Sequence, residues 1–89
     1  MIHYNIIVKG IVQGVNFRVR TRQKAQEIGI KGFVKNEIDG SVYIEAEGDE
    51  DQIQAFMEWC GEGPERADVQ EVYFESAPLK NFPGFDVKS

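Results

Sequence analysis

Near the start of the chain Ile2, Tyr4, Ile6 and Val8 alternate with His3, Asn5 and Lys9, the period of two expected of a strand with one buried face. The period then changes. A helical stretch is expected from Asn16, as N-cap, to about Ile28, with Gly29 placed to end it. Ile30 to Glu37 reads as a second strand, Asp39-Gly40 as a hairpin turn and Ser41 to Glu47 as a third strand, in which Val42, Ile44 and Ala46 alternate with Tyr43, Glu45 and Glu47. Ile53, Phe56, Met57 and Cys60 fall at i, i+3, i+4 and i+7, one face of a helix running from about Asp49 to Glu62. Asp49, Glu50 and Asp51 suit the positive end of that helix. Val69 to Ser76 supplies a fourth strand, and Gly84 to Lys88 is long enough only for an optional short edge strand.

The order is therefore β-α-β-β-α-β, an α+β arrangement. It suits a ferredoxin-like, split β-α-β two-layer sandwich, with two helices on one face of a mainly antiparallel sheet. In such a sheet the first and second strands run parallel with another strand between them, so their ends share one edge of the sheet. Two interstrand steps put those ends roughly 10 Å apart, a gap that a folded-over loop and a bound anion could bridge.

Length bounds this picture to one small domain spanning residues 1–89, and 42% hydrophobic with 28% charged residues suits a globular chain. No Pro/Ser linker, internal repeat or low-complexity tract argues for a second domain. The chain lacks a long apolar run and its first residues show no signal-peptide pattern, so a cytoplasmic monomer is the expectation. Cys60, the one cysteine, has no intramolecular disulfide partner and reads as a packing residue, as do Met57 and Trp59.

Charge changes the picture more. Residues 1–26 carry five basic residues and no acidic one, whereas the rest carry the other five basic residues and all fifteen acidic ones. A chain of net charge −5 has kept its first strand, its loop and all but the last turn of its first helix free of carboxylates, as a local anion site requires. The segment Gly10-Ile-Val-Gln-Gly-Val-Asn-Phe-Arg18 fits such a site. Gly10 and Gly14 permit positive φ and close approach of backbone N-H groups, a helix start supplies further donors, and Arg18 adds a fork matched to two phosphate oxygens. The same spacing also describes an ordinary turn followed by a solvated arginine, and Asn36 can equally serve to begin the Asp39-Gly40 turn. His3, the one histidine, would lie roughly 20 Å or more from the loop, and no convincing metal-ligand cluster is present. Any reaction here must proceed with weak acid-base assistance.

Val8-x-Gly10-x-Val12-Gln13-Gly14-Val15-x-Phe17-Arg18 resembles the first signature of the acylphosphatase family. Gly32-Phe33-Val34-Lys35-Asn36-x-x-x-Gly40-x-Val42-x-x-x-x-x-Gly48 resembles the second. The resemblance covers most of the chain and weakens after about Gly63. It implies hydrolysis of the carboxyl-phosphate bond of small acyl phosphates to a carboxylate and inorganic phosphate, without a metal or other cofactor. It further implies that Gln13, Gly14, Val15, Asn16, Phe17 and Arg18 bind the phosphoryl group and that Asn36 orients the attacking water. Departures at Asn16 and in the short Phe85-Asp86-Val87-Lys88 tail put the preferred acyl group in doubt. Two other readings belong to the same sandwich, a non-catalytic sensor of small anions and an RNA-binding module. Lys31-Gly32-Phe33-Val34 resembles the start of an RNP1 motif, but it sits on the second strand and runs into Lys35-Asn36-Glu37, and a pI near 4.8 disfavours a large phosphate-backbone footprint.

Overall fold

The computed structural model describes residues 1–88; Ser89 lies outside the described residues. Its elements are β1 (Ile2–Ile11), α1 (Phe17–Ile28), β2 (Lys31–Asn36), β3 (Val42–Gly48), α2 (Glu50–Glu62), β4 (Asp68–Ala77) and β5 (Phe85–Lys88). They form a five-stranded sheet in the order β4-β1-β3-β2-β5, so β3 separates β1 from β2. Every pairing is antiparallel except that of β5 with β2, which is parallel. The optional edge strand is formed, and it makes the sheet a mixed one.

Register explains the core. Ile6 pairs with Ile44 and Val8 with Val42 across β1 and β3, and Val34 of β2 sits between Ile44 and Val87. These side chains share one sheet face, because residues two apart along a strand point the same way. Phe17 and Ala25 of α1, with Ile53, Phe56 and Cys60 of α2, complete the same buried cluster. Thr21, buried between Phe17 and Ala25, satisfies its hydroxyl by donating to the Phe17 carbonyl at 2.7 Å. Burial also pushes the Cys60 thiol well above its ordinary pKa.

The opposite sheet face departs from the simple alternation. Alternation along β3 sets Glu45 and Glu47 on the face opposite Val42, Ile44 and Ala46, yet they are 6% and 1% exposed, and His3 beside them is 2% exposed. The cause is the segment 78–83, a strap that crosses this face between β4 and β5. The Lys80 and Phe82 amides donate to Glu47 at 2.5 and 3.2 Å, the Lys80 ammonium lies 2.8 Å from Glu45, and the Phe82 ring packs edge-on to Phe33. Burial works to raise the Glu47 pKa, but the Lys80 amide, the His3 ring and the Phe82 amide outweigh it and hold the carboxyl below its ordinary value.

Gly10 also sits differently from the sequence expectation. It belongs to β1 and not to the loop: the strand runs on to Ile11, with a register shift between Lys9 and Gly10 where β1 pairs with β4. A Cβ on Gly10 would lie 2.1 Å from the Asp68 carbonyl oxygen. Close approach of β4 therefore demands glycine there, not an anion.

Candidate active site

The loop from Val12 to Asn16 turns the chain from β1 into α1 through two left-handed residues, Gly14 at φ 74° and Asn16 at φ 64°. Asn16 occupies the N-cap position, but in this conformation its side chain makes no capping hydrogen bond, contrary to the sequence expectation. Its carbonyl accepts the Arg20 amide at 3.2 Å. The start of α1 therefore has neither a side-chain cap nor an acidic residue in its first turn.

The second helix makes the contrast plain. Asp49 closes α2 with a capping box, accepting the Gln52 amide while Gln52 accepts the Asp49 amide, each at 2.9 Å, and Glu50 and Asp51 add charge to its first turn. One helix start is neutralised by its own carboxylates. The other is left with free donors and a positive dipole end, the arrangement that receives an external anion.

A cavity of about 180 Å³ lies at this open end, lined by Gln13, Gly14, Asn16, Phe17 and Arg18 together with Asn36 from the end of β2. Both sequence motifs thus meet at one recess. The join is made by Gln13, whose side-chain amide donates to the carbonyls of Glu37 and Ser41, both at 2.8 Å. It clamps the loop to the β2-β3 hairpin and closes the gap between the strand ends. Expected only as part of a backbone cradle, Gln13 has this second role because an amide NH₂ can serve two acceptors at once.

Arg18 donates from Nη1 to the Lys88 carbonyl at 2.8 Å. The last described residue of β5 therefore holds one limb of the guanidinium, a contact across 70 positions of sequence. One carbonyl takes one of the five N-H donors of the group. Asn36 pairs with Val42 through the β2-β3 ladder, and its side-chain amide forms no hydrogen bond among the described residues. It does not make the hairpin turn. That turn is closed by Asp39, whose carboxylate accepts the Ser41 amide at 2.9 Å and hydroxyl at 2.6 Å; the hydroxyl, then the amide, lower the Asp39 pKa.

Two of the expected phosphate-binding residues contribute less than the others. Val15 does not line the cavity, because its side chain packs against the core. Phe17 is 2% exposed and its ring packs against Trp59 at 5.9 Å, so only its main chain is suited to an anion. Conversely Val12, Val19 and Val87 line the recess and were not expected there. Apart from Arg18, no titratable side chain among the described residues lines it. Among the described residues no group of three or more His, Cys, Asp and Glu side chains is placed to hold a metal, and no helix is long and apolar enough to cross a membrane.

Comparison with known proteins agrees over nearly the whole chain. The acylphosphatase family model matches residues 4–87. An acylphosphatase of Marinobacter nauticus is 51% identical over 75 residues, covering 84% of this chain and 82% of its own length. One from Archaeoglobus fulgidus is 46% identical over 87 residues, covering 98% of each. The crystal structure of acylphosphatase from Bacillus subtilis superimposes with a TM-score of 0.97 at 36% identity, with 100% of both chains covered.

Proposed function

The chain belongs to the acylphosphatase family and is an enzyme that hydrolyses acyl phosphates, and we propose that Arg18 with the 13–18 loop binds the phosphoryl group while Asn36 orients the attacking water. The observation that carries this reading is the shared recess, in which an uncapped helix start and Arg18 lie on one side and Asn36, whose amide has no partner among the described residues, on the other.

An acyl phosphate suits such a site because its mixed anhydride is already activated. In the proposed step the water oxygen bonds to phosphorus as the bond from phosphorus to the acyl oxygen breaks. The leaving carboxylate departs with that electron pair and needs no prior protonation. Backbone N-H groups of the loop and the Arg18 guanidinium stabilise the phosphoryl oxygens as charge redistributes. Asn36 contributes orientation by hydrogen bonding the water, because an amide has no useful proton affinity. Among the described residues Arg18 is the one titratable side chain lining the recess, so this reading sends the proton lost by the water to a phosphoryl oxygen of the substrate.

Hydrolysis of benzoyl phosphate in the presence of a chelator, by wild type and two variants, tests the assignment. Arg18→Ala is expected to weaken inhibition by phosphate and lower turnover together. Asn36→Ala should lower kcat by about 10²–10³, the roughly 3–4 kcal/mol of one well-placed transition-state donor, with phosphate inhibition largely intact. Near-normal turnover by Asn36→Ala would remove that residue from the mechanism.

The proposal extends to a single-domain cytoplasmic monomer with no nucleic-acid or membrane partner. The reading is supported by Cys60, a buried free thiol suited to a reducing compartment, and by the hydrophobic cluster that both helices share with the sheet. Light scattering and cell fractionation test it.

A further inference from the structure

The sheet face away from the helices holds a cluster that the proposed chemistry does not use. His3 reaches Glu47 through Nδ1 and Asn5 through Nε2, both at 2.7 Å. A carboxylate as deeply buried as Glu47 costs several kcal/mol in desolvation unless its oxygens are satisfied. They are satisfied by the His3 ring and by the Lys80 and Phe82 amides. The last two belong to the 78–83 strap, which joins no sheet ladder. For these amides Glu47 takes the place of a neighbouring strand.

The strap leads without a loop into the proposed site. The Gly84 carbonyl accepts the Gly32 amide at 2.9 Å, β5 follows with β2 as its one sheet neighbour, and its Lys88 carbonyl accepts Arg18. Four residues paired on one side make a weakly held strand, so the anchoring of the chain that enters it matters. We propose that Glu47 is a positioning residue for phosphoryl binding: by holding the Lys80 and Phe82 amides it fixes the strap, and through β5 it fixes the Lys88 carbonyl that orients Arg18. This rests on the reading of Arg18 as the phosphoryl ligand. Errors of about 1 Å at such a ligand are enough to cost large factors in rate or affinity.

Glu47→Gln tests the coupling, because the amide offers one acceptor oxygen where the carboxylate offered two, and sets an NH₂ group against a donor. Phe82→Ala loosens the same strap without touching the buried charge. Each variant is assayed at a temperature where circular dichroism shows it folded. The expected result for both is a KM for benzoyl phosphate and a Ki for inorganic phosphate raised roughly 3- to 10-fold, with kcat within about two-fold. The Arg18 Nε-H NMR resonance should also shift or broaden in the absence of ligand. A merely structural role would lower Tm and leave KM, Ki and that resonance unchanged, which would overturn the proposal. Failure of both variants to fold at 10 °C would overturn it too, by making the strap a folding requirement. Arg18→Ala in the same assay separates the premises: if it leaves the phosphate Ki unchanged, the phosphoryl-site reading has failed, and the coupling with it. If Arg18→Ala raises Ki and neither strap variant does, only the coupling has failed.

Discussion

Replacing Gly10 and Gly14 in turn by alanine separates two glycines that look alike in the sequence. At Gly10, φ is +133° and an added Cβ would meet the Asp68 oxygen at 2.1 Å and the Gln70 nitrogen at 2.9 Å, so backbone must move by more than an ångström to restore ordinary contact. Overpacking of this kind costs about 1–3 kcal/mol, and a residue held in a disfavoured backbone region about 1–3 kcal/mol more. The combined loss of about 2–6 kcal/mol is a large share of the roughly 5–15 kcal/mol that stabilises a domain. At Gly14, φ is +74° but nothing lies within 4 Å of the added Cβ. Only the left-handed conformer is penalised, by about 1–2 kcal/mol. Urea unfolding should therefore show Gly10→Ala as the more destabilised by a factor of two or more. Gly14→Ala, assayed below its melting point, should show the larger rise in phosphate Ki per unit of stability lost. Equal stability losses would refute the steric argument. A stable Gly10→Ala protein that failed only to bind phosphate would return Gly10 to the cradle.

Other outcomes follow from the burial of particular groups. Phe56→Ala should cost about 3–5 kcal/mol by urea titration, because the ring is fully buried and packs edge-on to Phe85; a loss under about 1 kcal/mol would contradict that packing. Cys60 should resist a thiol reagent in the native state and react at the unfolding rate, since burial both blocks access and raises its pKa; rapid native labelling would disprove it. The folded Glu45 and Glu47 pKa values lie below their ordinary value of 4.5, so the unfolded chain binds protons more readily. Their stabilising contribution is complete above that pH and is lost as pH falls through the folded values. Stability of the wild type should therefore fall more steeply with acid than that of Glu47→Gln, and parallel curves would count against the buried carboxylate.

What the sequence made legible was whatever repeats at short range. The i, i+3, i+4, i+7 series of α2 and the alternation in β1 and β3 place those elements to within a residue or two of their ends. Arg18 and Asn36 were singled out because they stand in motifs, and the strand order brings those motifs to one edge. The strap was invisible for a physical reason. Residues 78–83 have no period, and their ties run from backbone amides to a carboxylate more than thirty positions away. The burial of Glu45 and Glu47 was illegible for the same reason, since alternation tells which face a residue is on but not what covers that face. The Gln13 clamp joins a side chain to carbonyls 24 and 28 positions on, and no local spacing encodes it. The left-handed Asn16 was legible as a helix boundary and illegible as an uncapped one.

The contact between Arg18 and the Lys88 carbonyl sets a constraint on the order of events as the protein is made. Arg18 is synthesised 70 positions before its partner, Lys88. A growing chain can form α1 and the β2-β3 hairpin early, from local contacts, but it cannot orient this guanidinium until β5 has been released and paired. Catalytic activity in a translation reaction should therefore lag the appearance of helix, and would report the pairing of β5 instead of the first folded parts.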